Sequence, residues 1–329
     1  MKRGQVPFTR SEAGLIRLIS GWLAGQDRDR RLIRGIGDDC ATVRLRGGRL
    51  LLTSDAFIEG VHFRRDWMKG WPAGWKALAA NVSDVCAAGG APGAALVSLE
   101  LPPAFPVGWL KDFYAGLLAC ARKYRIVIAG GNIARGTKVA VHIALAGEAP
   151  EHLIGRAGAR PGDLLAVTGS LGGSLAGLLC LKKGLRGTVA RDAINRHFLP
   201  LPDPGVGRAL AGFATAMVDV SDGLVHEASL LAAASGVRIA IVPGAVPVHP
   251  AAWLLAPVFR KDPAGLALSS GEEYELLATI PQRRFHKAAR ALSLRGFALT
   301  PIGEVRRGKG VELVGGGHIT ARGFDHFNK

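Results

Sequence analysis

Five aspartates define the chemistry open to this chain. Asp39 follows Asp38 in GIGDDC, Asp55 closes the apolar run LLTSD, Asp84 lies in KALAANVSDVC, and Asp219 and Asp222 fall three apart in VDVSDG. Each sits at a strand end or beside a glycine-rich turn, positions that face a cleft more than a core. Hard oxygen ligands in that number suit Mg2+, which takes one or two carboxylates per ion and fills its octahedron with water and substrate phosphates. The reaction implied is phosphoryl transfer, in which catalysis rests on positioning and electrostatics. Thr53 and Ser54 add two oxygen donors before Asp55, and His62 follows seven residues after it. Strands also end in Thr, Ser and Asp for turn reasons alone, because these side chains bond their own backbone. His62 is either a donor to phosphate or a packed structural histidine.

The elements that position these groups follow from periodicity. A strand over 49–54 delivers Asp55, and the Gly47-Gly48 turn joins it to an alternating strand that follows Asp38 and Asp39, so a hairpin gathers the acidic groups near neighbouring strand ends. A helix over 73–88, stopped by Gly89-Gly90, carries Lys76, Ala80 and Asp84 on one face. An aspartate in mid-helix usually faces solvent, yet Val82, Val85 and Cys86 put Asp84 close to the apolar side. Strand 94–101, helix 107–124 and strands 125–129 and 138–146 follow, with GGNIARG (130–136) between the last two. Gly131 and Gly136 have the P-loop interval, but Thr137-Lys138 reverses the order that motif requires. A second domain is expected after the RPGD turn at 160–163, with strand 164–168, the glycine-rich GSLGGSLAG and a helix; no G-x-G-x-x-G follows a strand as a dinucleotide fold needs. Further on, an apolar strand ends at Asp219, and Ser221 or Asp222 can cap the helix carrying Leu224, Leu230 and Leu231. Capping accounts for one of these residues but not for both carboxylates. Glu272 and Glu273 open the next apolar strand, before a basic helix over 282–295 and strands near 298–305 and 311–314. Upstream, Thr9 and Glu12 make a capping-box pattern for a helix with Leu15, Ile16, Ile19, Trp22 and Leu23 on its apolar side.

At 329 residues, 48% of them hydrophobic, the chain can fill two domain cores. Its net charge of +16 invites a nucleic-acid reading, but the basic residues are mostly scattered arginines, the densest run being Arg28, Arg30, Arg31 and Arg34. With aromatics at 6%, a base-stacking platform is missing, so a solvated basic surface and no nucleic-acid partner are expected. Cys40, Cys86, Cys120 and Cys180 are far apart without a C-x-x-C pair, which fits buried free thiols in a reducing compartment. MKRGQVPFTRSE is not an apolar signal segment and no apolar run is long enough to span a bilayer, so a cytoplasmic protein without membrane contact is expected.

In order, GIGDDC, TSDAFIEGVHF, KALAANVSDVCAAGGAP, GGNIARG, VDVSDGL, SGEEYEL and GFDHF resemble the thiamine-monophosphate kinase family, of the aminoimidazole ribonucleotide synthetase-like (PurM-like) superfamily. The resemblance runs from about Gly35 to Phe327, and seven motifs in register are far more specific than any one of them. It implies a two-domain α+β / α/β architecture. An N-terminal strand-rich domain, 1–150, would bind ATP and metal and pair in a homodimer, and a C-terminal α/β sandwich domain would occupy 151–329. It implies ATP-dependent phosphorylation of thiamine monophosphate to thiamine diphosphate, with several Mg2+ ions, by direct in-line transfer. The acceptor is an ionised phosphate monoester that needs no general base, and the candidate residues form no nucleophile–base pair. Carried over, Asp39, Thr53, Ser54, Asp55, Asp84, Asp219 and Asp222 become the metal shell; His62 and Glu272 hold the substrate and Phe324 packs on its ring system; Tyr114, Gly130, Gly131, Arg156 and Ser221 contact ATP. Asn132 stands where many members have a metal-binding Asp, which keeps a carbonyl ligand but loses a charge. Glu273 replaces the usual Asp of the SGEEYEL region, and Ser270 its first Gly. The alternatives are another ATP-using enzyme of the superfamily or a catalytically weakened nucleotide-binding homologue. A selenophosphate synthetase is disfavoured because no reactive Cys lies in an N-terminal glycine-rich segment.

Overall fold

The structure, a computed structural model, describes residues 12–23 and 29–316. Thr9 of the capping-box pattern, Arg28, and the GFDHF segment with Phe324 and Phe327 lie outside the described residues. The N-terminal half contains α1 (Glu12–Leu23), β1 (Leu32–Arg34), β2 (Ala41–Leu45), β3 (Gly48–Ile58), α2 (Gly70–Ala87), β4 (Ala91–Leu101), α3 (Val107–Tyr124), β5 (Val127–Arg135) and β6 (Ala140–Glu148). Its strands form a six-stranded sheet in the order β1-β2-β3-β6-β4-β5.

The alternation along β3 decides which residues reach the interior. Leu51 and Phe57 are buried, and Thr53 and Asp55 share their face; Leu52, 40% exposed, and Ser54 point the other way. Helix α2 covers the inner face. Its Ala- and Gly-rich sequence admits close neighbours on nearly all sides, and Leu78, Val82 and Val85 pack there with Val97 of β4 and Ile143 of β6.

The second half contains β7 (Asp163–Thr168), α4 (Gly173–Lys183), α5 (Thr188–Phe198), α6 (Pro204–Ala211), β8 (Ala216–Asp219), α7 (Leu224–Ser235), β9 (Arg238–Ile241), α8 (Pro250–Phe259), α9 (Pro263–Ser269), β10 (Leu276–Pro281), α10 (Gln282–Ser293), β11 (Leu299–Arg306) and β12 (Gly310–Leu313). The strands form a second six-stranded sheet, β12-β9-β11-β7-β10-β8, in which β9 and β12 are the parallel pair. Met217, Leu276 and Ile280 of this sheet join the core built on α2, and the Trp75 indole donates to the Pro200 carbonyl at 2.9 Å. Helix α2 is therefore the shaft between the two halves, and it fixes the seam where the acidic residues meet.

Three local expectations are corrected. GGNIARG is not a loop between strands: Gly130, Gly131 and Asn132 lie inside β5, which pairs in parallel with β4. A Cβ on Gly131 would stand 1.8 Å from the Val97 carbonyl oxygen, so glycine here serves close strand approach rather than a turn. Glu272 and Glu273 do not open a strand; β10 begins at Leu276, and Glu272 and Tyr274 hold left-handed φ values of 56° and 55° in the turn before it. Neither Ser221 nor Asp222 caps α7, whose N-cap is Gly223 with no side-chain cap. The four cysteines are all buried and free. Among the described residues no helix is long and apolar enough to cross a membrane.

Candidate active site

The seam between the halves gathers aspartates from four separate elements. The loop before β2 supplies Asp39, β3 supplies Asp55, α2 supplies Asp84 and the end of β8 supplies Asp219. Oxygens of Asp39, Asp84 and Asp219 lie within 4.8 Å of one another. Hydroxyls orient them: Thr53 donates to Asp84, and Ser83 donates to Asp219 at 2.6 Å. Arg156 closes one side, its guanidinium donating to Asp39 at 2.5 Å and its backbone N–H to Asp38 at 3.1 Å, while Arg34 pairs with Asp38 at 3.2 Å.

One guanidinium does not balance so much negative charge. Burial pushes Asp39 up to about 7, with Arg156 pulling it down and Asp219 adding to the rise. Burial, then the charges of Asp222 and Asp39, raise Asp55 to about 6. Asp219 also rises to about 6 through burial, against the Ser83 hydrogen bond. Asp84 is raised well above the carboxylate range by burial and by Asp55, Asp219 and Asp39. Asp39 Oδ2 is buried without a hydrogen-bond partner among the described residues. A buried, unpartnered oxygen in an all-oxygen set of mutually repelling carboxylates fits a hard divalent cation.

A second acidic group adjoins the first. Asp222, His226 and Glu227 bring ligand atoms within 4.8 Å of one another. Glu227 accepts from the Asp222 backbone N–H at 3.1 Å and from the Ser221 hydroxyl at 3.4 Å, thereby shaping the VSDG loop. Sequence reasoning passed over Glu227; its place five residues after Asp222, on the first turn of α7, was the available signal.

Other candidates fall elsewhere. Ser54 lies on the opposite face of β3 from Thr53 and Asp55. Asp55, Ile143, Val97 and Gly131 are register partners across β3, β6, β4 and β5, so β5 is three strand spacings from Asp55, about 14 Å along the sheet. Within one chain, Gly130, Gly131 and Asn132 are thus on the far edge of the first sheet. Tyr114 sits on α3, edge-on to Phe113. His62 lies in the turn after β3, where its Nδ1 accepts the Ile58 N–H at 3.0 Å and its ring stacks on Phe57. Because Nδ1 accepts, the proton of the neutral ring is on Nε2.

Glu272 meets a partner that spacing alone could not name. Its carboxylate pairs with Lys76 of α2 at 2.7 Å, and the Lys76 side chain is 1% exposed. Lys76 also approaches His197 Nε2 at 3.5 Å, and His197 Nδ1 lies 3.0 Å from the Ser174 hydroxyl. Burial, then Lys76, lower His197 to about 3, so the imidazole is neutral at physiological pH. An ammonium can only donate; His197 Nε2 therefore accepts and Nδ1 carries the proton toward Ser174. Tyr274 is half-buried beside this group, its phenol raised by desolvation and then by Glu272, Asp55, Asp219 and Asp84. Glu273 turns away into the interior, where it accepts from the Gly172 and Ser174 N–H groups at 2.7 and 3.0 Å and pairs with Arg196. Glu273 thus braces the start of α4 and does not face the aspartates.

Sequence profiles place this architecture. Residues 37–149 match the N-terminal domain of AIR synthase related proteins, and residues 160–316 match their C-terminal domain. The chain is thus an AIR synthase related protein, two domains meeting at an acidic seam. It is 37% identical to the thiamine-monophosphate kinase of Aquifex aeolicus (strain VF5), over 96% of this chain and 98% of that one. Identity to the thiamine-monophosphate kinase of Bacillus subtilis (strain 168) is 34%, over 83% and 85% of the two chains. The solved structure of AaThiL complexed with AMPPCP and TMP superposes with a TM-score of 0.87 at 36% identity, covering 98% of this chain and 100% of that one. Within the AIR synthase related proteins, the chain belongs to the thiamine-monophosphate kinase family.

Proposed function

We propose that this protein transfers the terminal phosphoryl group of ATP to thiamine monophosphate, giving thiamine diphosphate. The observation that carries the reading is the convergence of Asp39, Asp84 and Asp219, with Asp55 beside them, at the seam of a chain in the kinase family. AMPPCP is a methylene analogue of ATP, and its binding together with TMP in AaThiL supports the same pair of substrates here.

Asp39, Thr53, Asp55, Asp84, Asp219 and Asp222 would hold Mg2+. The chemistry Mg2+ would supply there is neutralisation of the phosphate charge. Arg156, anchored on Asp39, presents a fixed cation at the rim of the aspartates for the nucleotide phosphates, and Ser221, held by Glu227, would contact the nucleotide as well. His62, its ring oriented by the Ile58 N–H at Nδ1, would take part in holding the acceptor phosphate. Glu272, pinned by Lys76, faces the substrate from the second domain. The acceptor monoester is ionised near neutral pH, so the reaction needs no base among these groups. Incubation with ATP, Mg2+ and thiamine monophosphate should yield thiamine diphosphate and ADP in equal amounts. ATP binding without that product would sink the reading.

The active unit is a cytoplasmic homodimer paired through the N-terminal domain. The outer face of the first sheet supports this: Leu52 and Leu96 there are 40% and 50% exposed, and it carries Ser54, which points away from the inner face of Asp55, with Gly130 and Asn132 on the far edge strand. A second copy on that face would bring a second set of these residues to the assembly, where Gly130, Gly131 and Tyr114 would contact ATP, and Ser54 and Asn132 would complete the metal shell. Light scattering should give twice the chain mass of 34.5 kDa, and a monomeric mass with full activity would remove the dimer from the mechanism.

A further inference from the structure

Three features of the Lys76 group are unusual together. A lysine is almost never fully buried without a partner, because its charge is costly to desolvate. Lys76 has one, the Glu272 carboxylate at 2.7 Å, and its relative exposure is 0%. The pair spans the two domains, with Lys76 on α2 and Glu272 in the turn before β10. It is also braced: His197 of α5 approaches Lys76 through Nε2 at 3.5 Å and Glu272 Oε2 through Nδ1 at 3.5 Å, and Ser174 of α4 holds that same Nδ1 at 3.0 Å. The turn bearing Glu272 holds a left-handed φ, with its N–H donated to the Ser221 carbonyl at 2.6 Å, so the residue is fixed from backbone and side chain alike. Yet the Glu272 side chain keeps 27% of its surface open. A carboxylate that is clamped on one side and open on the other is built to present an acceptor oxygen in a set direction.

We propose that Lys76 is a positioning residue that acts through Glu272, holding its carboxylate on the seam so that the open oxygen receives a donor group of thiamine monophosphate. The proposal rests on the reading of Glu272 as a substrate contact. Because Lys76 balances the charge of Glu272, the carboxylate serves as a directed hydrogen-bond acceptor rather than as one more free anion beside the aspartates. The same helix carries Asp84 two turns further on, so α2 sets the substrate contact and the phosphate end from one rigid element.

The test is a double-mutant cycle read by calorimetric titration of thiamine monophosphate and by thermal unfolding, on Lys76→Met, Glu272→Gln and the double variant. Lys76→Met should weaken thiamine monophosphate binding tenfold or more, leave ATP binding within twofold and lower Tm. The double variant should regain most of that Tm, because no unpaired charge remains buried, and should bind thiamine monophosphate as Glu272→Gln alone does. If Lys76→Met binds normally, or if the two losses multiply in the double variant, Lys76 does not act through Glu272. If Glu272→Gln alone binds normally, the substrate role of Glu272 falls, and the proposal with it.

Discussion

Asp84→Asn is expected to cut turnover by about 10²–10³-fold while making the metal-free protein more stable at pH 8. The two effects have one cause. Asp84 sits half-buried among Asp39, Asp55 and Asp219, and each is raised by burial and by its neighbours' charge. A raised carboxyl value means that the folded state binds protons more tightly than the unfolded chain, whose aspartates titrate near 3.9. Stability of the metal-free protein therefore falls as pH rises from about 4 through the folded values of about 6 for Asp55 and Asp219 and about 7 for Asp39. At pH 8 the folded chain must either ionise Asp84 against Asp39, Asp55 and Asp219 or hold on it a proton that the unfolded chain releases, and Asn at this position removes that cost. Thermal unfolding in EDTA should show the variant melting a few degrees above the parent at pH 8, with the gap closing toward pH 5, since about 1 kcal/mol moves Tm by about 2–4 °C in a domain of comparable size. Mg2+ should raise the parent's Tm at pH 8 through preferential binding to the folded state, and should raise the variant's much less. A variant that melts lower than the parent in EDTA at pH 8 would show that Asp84 is a structural partner of Thr53 first and part of a charge cluster second.

The contrast between what the sequence revealed and what it hid follows range of interaction. Asp39, Asp55, Asp84, Asp219 and Asp222 were legible because carboxylates set beside apolar runs are a local pattern, although only Asp219 ends a strand and Asp55 lies inside β3 rather than at its end; the helix over 107–124 was legible from its own periodicity. The same period-2 rule could have separated Ser54 from Thr53 and Asp55, since alternate residues of a strand face opposite sides. GGNIARG was read as a loop because glycine is a turn residue by default; only the Val97 carbonyl pressing on Gly131 explains a glycine in the middle of a strand. The partner of Glu272 was out of reach altogether. Lys76 was visible on the face of α2 that carries Asp84, but the turn that Lys76 holds comes from the other domain, and no local pattern encodes that docking. The role of Glu273 as a brace was hidden for a related reason: its partners Gly172, Ser174 and Arg196 belong to the same half but lie 101, 99 and 77 residues away in the chain. Residues whose roles depend on their own strand or helix were readable; residues defined by a contact distant in sequence, within a domain or between the two, were not.

That dependence on α2 makes its contact with α3 a sensitive structural point in the N-terminal half. Gly116→Ala on α3 is expected to destabilise the protein by about 3 kcal/mol or more, the upper range for overpacking a tight site. A Cβ at Gly116 would stand 1.8 Å from the Trp71 carbonyl oxygen, and one at Gly74 of α2 would stand 1.9 Å from that of Phe113. Each glycine thus meets the backbone of the opposite helix, which has no rotamer with which to yield. Glycine in mid-helix costs about 1 kcal/mol relative to alanine, so on propensity alone both substitutions should stabilise; close approach reverses the sign. If the helices part to admit the methyl group, α2 shifts, and with it Lys76, Ser83 and Asp84. Activity should therefore fall even at temperatures where the variant remains folded. As a control, Gly108→Ala near the start of α3, where a Cβ would meet nothing within 4 Å, should leave both properties close to the parent. Urea unfolding and turnover measured on the two variants decide the matter: equal midpoints for Gly116→Ala and Gly108→Ala would mean that the α2–α3 contact relaxes without cost and does not hold the site in place.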